Sequence, residues 1–262
     1  MNIIEAMTLR RSVRNFNGES LSSALRAELA RAASETTSPF GGSVTIRMKD
    51  FDLKNGYKPA TYGMIRGAEI YFLMGIGSDE ASALSAGFRF EQVVLKACML
   101  GLGTCWIGGT FKGSSFDSGQ TWPDGESLKI VCPVGTEAKS VRDKLLRAAF
   151  GSTRRKPFDT LFFSGDFSTP VSADNRFRHA LEMLRLAPSS TNSQPWRAVT
   201  DGHRVHFYCA DKGPFAVLDT GIALCHFYET LRYENRRGSF VKLADSPAPP
   251  AGLRYLVSYT EE

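Results

Sequence analysis

Apolar residues recur along this chain in two rhythms, and each rhythm predicts an element. Leu21, Leu25, Leu29 and Ala32 stand at helical spacing behind Ser20, which suits an N-cap. Residues 44–48 read as a short strand. Residues 69–76 (EIYFLMGI) form a nearly continuous apolar run between glycines, the pattern of a strand buried on both faces. Phe90, Val93, Val94, Ala97 and Leu100 mark a helix that stops at Gly101, and LKIVCPV (128–134) a second buried strand. Residues 111–127, rich in Gly, Ser and Asp, read as loop. In the second half, Phe177, Ala180, Leu181, Leu184 and Ala187 make a helix face. RVHFYC (204–209) and RYLVSY (254–259) read as strands, with a helix face of Ile222, Cys225, Tyr228 and Leu231 between them. Helices interleave with strands throughout, so the class is mixed α and β.

The two halves also share wording. AASETTSPF (32–40) lies over APSSTNSQPW (187–196) with one residue inserted, so that Ala32 meets Ala187, Ser34 meets Ser189 and Pro39 meets Pro195. An amphipathic helix precedes each copy. Further on, GFRFEQVVLKACMLGLG (87–103) lies over GIALCHFYETLRYENRRG (221–238). Two matches in the same order favour an internal duplication over chance.

Composition narrows the class. The 262 residues are 42% apolar and 23% charged, which fits a globular protein and excludes a disordered, collagen-like or coiled-coil chain. No apolar run approaches the roughly 18 residues of a membrane helix, and the start lacks the apolar stretch of a secretory signal. A cytoplasmic protein without a membrane partner is expected. The net charge of +5 admits either a nucleic acid or an acidic small ligand. Basic residues gather at Arg10, Arg11 and Arg14, at Arg154, Arg155 and Lys156, and at Arg236 and Arg237. No nucleic-acid-binding signature accompanies them, so the small ligand is favoured. The five cysteines include no CxxC pair, which argues against a zinc site and a disulfide framework. His203 and His206, three apart in an expected strand, would point to opposite faces, and no metal is expected.

Three segments carry chemistry. In Arg10-Arg11-Ser12-Val13-Arg14, extended backbone would place Arg10, Ser12 and Arg14 on one face, where planar guanidinium forks suit phosphate oxygens. In Ala187-Pro-Ser-Ser-Thr-Asn-Ser-Gln-Pro-Trp196, six small polar residues lie between prolines just after a helix. In Gly101-Leu-Gly-Thr-Cys-Trp-Ile-Gly-Gly109 the glycines follow a helix, whereas a dinucleotide fingerprint would open one. They suit either a helix C-cap or a backbone that a flat ligand approaches closely. Cys105 in that run follows a helix and has no histidine nearby in sequence, which disfavours a cysteine hydrolase.

Together these segments resemble the FMN-dependent nitroreductases, whose pattern is an N-terminal RRSxR, a helix followed by APSSxNxQPW, and GLGTCWIG. The order here departs from the family's, because GLGTCWIGG precedes APSSTNSQPW and the degenerate AASETTSPF stands in the usual place. The usual enzymes are dimers with flavin between subunits, and this chain looks like both subunits fused. The resemblance implies an α+β, nitroreductase-like fold of two pseudo-symmetric halves, each a β-sheet flanked by helices, over residues 1–165 and 166–262. It implies one FMN between the halves, with NADH or NADPH as reductant and a nitroaromatic, quinone or similar acceptor in a ping-pong cycle. A monomeric pseudo-dimer is expected, with a homodimer as the alternative. Arg10 and Arg155 would bind the cofactor's phosphate, Ser12 its ribityl or phosphate region, and Arg11 would also contact the cofactor. Arg14 would lie at the pyrimidine edge, and the Gly108 or Gly109 N–H would face N5. Pro188, Ser189, Ser190 and Asn192 would complete the site from the second half. Glu35 stands where Ser190 stands in the other copy, and YENRRGSFV replaces the glycine turn, so a reciprocal site is expected to be dead. The same motifs would serve a flavin sensor or carrier without turnover, or a related dehalogenase or dehydrogenase. Loops 50–62 and 111–127 are the expected covers of the exposed flavin face.

Overall fold

The computed structural model describes residues 1–53, 55–117, 119–138 and 154–262, with Leu145 and Ala148 between the last two stretches. The first half runs α1 (Ile3–Leu9), α2 (Ser23–Glu35), β1 (Val44–Asp50), β2 (Ile70–Ile76), α3 (Glu80–Met99), β3 (Gly103–Thr104) and β4 (Ser127–Gly135). It is followed by β5 (Phe162–Ser164), and the second half runs α4 (Arg178–Arg185), β6 (Trp196–Asp201), β7 (Arg204–Ala210), α5 (Ala216–Tyr233), β8 (Gly238–Val241) and β9 (Leu253–Glu261).

The two sheets repeat one another. The first has the order β1-β2-β4-β3, and the second β5-β6-β7-β9-β8. Matching β1, β2, α3, β3 and β4 with β6, β7, α5, β8 and β9 reproduces the order of both, and all these neighbours pair antiparallel. The expected α+β class with two pseudo-symmetric halves is therefore the observed one. The extra strand β5 precedes the second repeat in sequence but pairs parallel to β6 within its sheet.

Two glycines explain how the halves meet. A Cβ at Gly87, in α3, would be driven into the carbonyl oxygen of Leu218, and one at Gly221, in α5, into that of Leu84. Leu84 precedes Gly87 by three residues, as Leu218 precedes Gly221. The contact is thus reciprocal, like that across a two-fold axis. Only glycine allows backbones to approach this closely. Around the crossing, Phe88, Phe90, Leu95, Leu224, Phe227 and Leu231 are almost fully buried in one core cluster that spans both halves.

Several boundaries differ from the sequence expectation. The N-cap of α2 is Ser22, whose side chain accepts from Leu25 N, while Ser20 Oγ instead donates to Glu69. Helix α3 starts at Glu80, with Asp79 as its cap, well before the face that begins at Phe90. Its first turns hold Ala81, Ser82, Ala83, Ser85 and Ala86, small residues whose periodicity in hydropathy is weak. His203 lies in the turn before β7 rather than within a strand; His206 is buried, with Nδ1 2.7 Å from Ser258 Oγ. The short α1, β3, β5, β6 and β8 carry too few residues for a clear rhythm. All five cysteines are free, four of them buried. Among the described residues no group of three or more potential ligands could hold a metal, and no helix is long and apolar enough to cross a membrane.

Candidate functional site

Beside the crossing of α3 and α5 lies a cavity of about 560 Å³, within the range of about 300–1,000 Å³ usual for small-molecule and cofactor sites. Its lining includes every site residue expected from the sequence. Arg10, Arg11, Ser12, Arg14, Gly108, Gly109 and Arg155 come from the first half, and Pro188, Ser189, Ser190 and Asn192 from the second half. The three motifs, far apart in sequence, face one space.

The N-terminal arginine segment leaves α1 and runs beside β3. Val13 N donates to Thr104 O at 2.8 Å, and Ser12 bridges Thr104 in parallel fashion. The expected alternation follows: the Arg10 side chain is 7% exposed and Arg14 is buried, while the Arg11 side chain is 53% exposed. Arg11 lines the cavity rim, but its guanidinium is bonded to the Glu137 carboxylate. Arg10 Nε is buried without a hydrogen-bond partner and lies 3.8 Å from Glu91 Oε1.

The loop after α4 is stitched to residues 154–156. Arg155 donates to Leu186 O (2.9 Å) and to Asn192 Oδ1 (3.3 Å), and Asn192 Nδ2 donates to Arg154 O (2.8 Å). Gln194 accepts from Lys156 N, and Lys156 Nζ donates to Ser193 O. This network holds Thr191, Asn192 and Gln194 at φ values of 51°, 56° and 48°. Such angles are strained for a β-branched threonine, and the clustering of strain fits a loop shaped for a ligand. Burial, with Arg10 and Arg185 nearby, pulls the Arg155 guanidinium down to about 10. An anion entering between Arg10 and Arg155 would relieve that repulsion.

The glycine run divides its labour. Gly101 closes α3 at φ +78°, as a C-cap glycine does, and Gly103 leaves room for Val13. Gly108 lies under the Phe215 ring, where a Cβ would overlap the ring, whereas Gly109 has open space. The neighbouring Trp106 donates from Nε1 to Glu91 Oε2 at 2.8 Å. The fully buried Glu91 also places Oε1 3.0 Å from His226 Nε2, while His226 Nδ1 lies 3.0 Å from Met183 O. A carbonyl only accepts, so Nδ1 carries a hydrogen and the Glu91–His226 contact holds the remaining proton. One carboxylate thus ties α3, α5 and the glycine turn together beneath Arg10.

Glu91, His226, Phe215 and Asp219 escaped the sequence reading. Glu91 and Asp219 do leave a trace there, as acids inside otherwise apolar helical runs. Asp219, in the first turn of α5, lines the cavity at 3% exposure and accepts from Ser190 N at 2.9 Å. The expected loop covers do not line it. No described residue of 50–62 or 111–127 does so, and Lys54 and Ser118 lie outside the described residues. The two loops pack on one another, with Tyr57 Oη donating to Ser115 O, and the wall is made by the adjacent Met64, Ile65 and Thr110.

A smaller cavity of about 200 Å³ is lined by Phe40, Leu84, Phe240 and Lys242, among others. Leu84 is the counterpart of Leu218, so this is the pseudo-symmetric position. Here Phe40 and Phe240 pack edge to face at 5.1 Å. Glu35 does not line it but pairs with Arg31 on the surface.

This architecture defines the class: an α+β nitroreductase fold in which one chain supplies both halves. The family described as "Putative TM nitroreductase" matches residues 2–230, and the chain belongs to that family of oxidoreductases. Among solved structures, a putative nitroreductase from Thermotoga maritima is similar over 100% of this chain and 93% of its own, at 20% identity and a TM-score of 0.62. A nitroreductase family protein from Clostridium difficile covers 67% of this chain and 99% of its own, at 15% identity and a TM-score of 0.47. A nitroreductase with bound FMN from Desulfitobacterium hafniense covers 53% of this chain and 92% of its own, at 19% identity and a TM-score of 0.43. No curated protein matches the chain.

Proposed function

We propose that the larger cavity binds one FMN per chain and that the protein is an NAD(P)H-dependent flavin oxidoreductase. Its acceptors would be nitroaromatics, quinones or similar compounds, which take turns with the nicotinamide at one site. The carrying observation is the pair Arg10 and Arg155: two cations from different segments face the same cavity, and Arg10 Nε is buried with no hydrogen-bond partner. That arrangement fits a phosphate, which supplies acceptor oxygens and negative charge together.

When bound, FMN supplies the hydride chemistry, and the protein binds, orients and electrically tunes it. Arg10 and Arg155 would hold the phosphate, and Ser12 would add a hydroxyl near the ribityl or phosphate region. Arg14, buried at the cavity wall, would place a fixed positive charge at the pyrimidine edge, where it would favour the reduced ring. Gly109, and Gly108 beneath Phe215, would let the flavin approach their backbone N–H groups without side-chain bulk. Pro188, Ser189, Ser190 and Asn192 close the space from the second half, taken as residues 166–262 against a first half of 1–165. Arg11, engaged by Glu137, contributes least.

The test is spectroscopic. Purified protein titrated with FMN should saturate at one equivalent per chain, show flavin bands, lose them on adding NADH or NADPH, and regain them with a quinone or nitroaromatic. A colourless protein that ignores added FMN would overturn the proposal.

A further inference from the structure

Asp219 is the only carboxylic acid among the described residues that line the larger cavity. Its side chain accepts one hydrogen bond, from Ser190 N, and makes no ion pair with any described residue. Among the described residues, the charged groups sharing the cavity are Arg10, Arg11, Arg14 and Arg155. The titratable group behind Asp219 is Cys209 on β7, whose thiol is pushed up chiefly by burial and also by Asp219. On the loop side stands the Ser190 amide, which does not titrate. Asp219 is thus an acid facing a ligand space with no described cation paired to it.

We propose that Asp219 is the proton donor of the cavity, giving up its carboxyl proton to the acceptor as that acceptor takes hydride. The proposal rests on the flavin reading above and assigns it a residue. Burial lifts the Asp219 carboxyl to about 7, while the Ser190 N–H pulls the other way. A general acid with its proton available near neutral pH suits the task. For a quinone, two electrons and one proton arrive as hydride on one carbonyl oxygen. The Asp219 O–H bond breaks, and its proton forms the O–H bond on the other oxygen. The carboxylate left behind regains a proton from water. The quinone becomes a hydroquinone, and NAD(P)H, the ultimate reductant, becomes NAD(P)⁺.

The test variant is Asp219→Asn. Its amide oxygen still accepts from Ser190 N, but it has no acidic proton. FMN affinity, read by fluorescence titration, should stay within about 2-fold, and bleaching of the flavin by NADH should keep its rate. Reoxidation by menadione in anaerobic stopped flow should slow about 100-fold at pH 6. In the unaltered protein that step should weaken as pH rises through about 7, and in Asp219→Asn it should be flat. Infrared spectra of FMN-free protein should show a carboxylic-acid band that vanishes over the same pH range and is missing in the variant.

Unchanged reoxidation in Asp219→Asn, with FMN bound and NADH bleaching intact, would overturn Asp219 as donor and leave the flavin reading standing. Loss of FMN binding in the variant alone would make Asp219 a structural residue and equally overturn the proposal. If the variant does not fold, a reoxidation profile of the unaltered protein with no break near neutral pH overturns it. Failure of the unaltered protein to bind FMN at all would remove both readings.

Discussion

At the residue scale, the cavity sorts arginines by what their neighbours already occupy. The Arg11 guanidinium is half in water and held by Glu137, whereas Arg14 is buried at the cavity wall. Arg14→Ala should therefore weaken FMN binding or slow its reduction by about tenfold or more, while Arg11→Ala changes either by less than about threefold, as expected of an exposed pair. Equal and negligible effects of both would contradict the assignment of Arg14. Asp219 also makes a stability prediction. The unfolded chain releases this proton near pH 4, the folded one only near 7. The folded state thus binds more protons between those values, and its stability falls as pH rises from about 4 to about 7. The full effect, about 4 kcal/mol at most, persists above 7. Asp219→Asn should remove it, so denaturant unfolding of the FMN-free variant should show a gain over the unaltered protein at pH 8 and none at pH 3.

At the scale of elements, the crossing of α3 and α5 is where sequence and structure speak most directly to each other. The alignment of Gly87 with Gly221 is visible in the sequence, but why both are glycine is not. Each faces a carbonyl oxygen on the opposite helix, and nothing local announces a partner more than a hundred residues away. Gly87→Val or Gly221→Val should force the helices apart and destabilise the protein by at least about 1–3 kcal/mol, the usual range for overpacking, measured as a lower urea midpoint. The same substitution at Gly109, which has open space around it, should leave stability nearly unchanged. Apolar runs such as β2 and β4 were legible because a strand buried on both faces has only apolar positions. The beginning of α3 was not, because close helix packing selects small residues that carry little hydrophobic signal. The true N-cap of α2 was obscured because Ser20, Ser22 and Ser23 are chemically alike, and only the Leu25 N–H chooses among them.

At the scale of the whole molecule, duplication has produced two unequal positions about one pseudo-axis. One is a cavity of about 560 Å³ with four arginines among the described residues of its lining, the other of about 200 Å³ with Phe40 and Phe240 packed in it. FMN titration should therefore end at one equivalent per chain, and two would show that the smaller position opens. Light scattering should give a single-chain mass, since the interface a dimer would supply is already internal.

The amino-acid order by itself determined the three motifs, the repeat and the class of the fold, because these depend on residue type and local spacing. It also marked the buried, cavity-lining Arg10 and Arg14 through simple alternation along an extended segment. Only the tertiary structure decided which groups share a space. Asp219 meets Ser190 N, Glu91 meets Trp106 and His226, and Phe215 meets Gly108. Those contacts depend on how two helices cross, and burial at the crossing is what sets the proton affinity of Asp219. The reason is physical: a carboxyl's charge state follows its solvation and its partners, and neither is a property of the residues beside it in the chain.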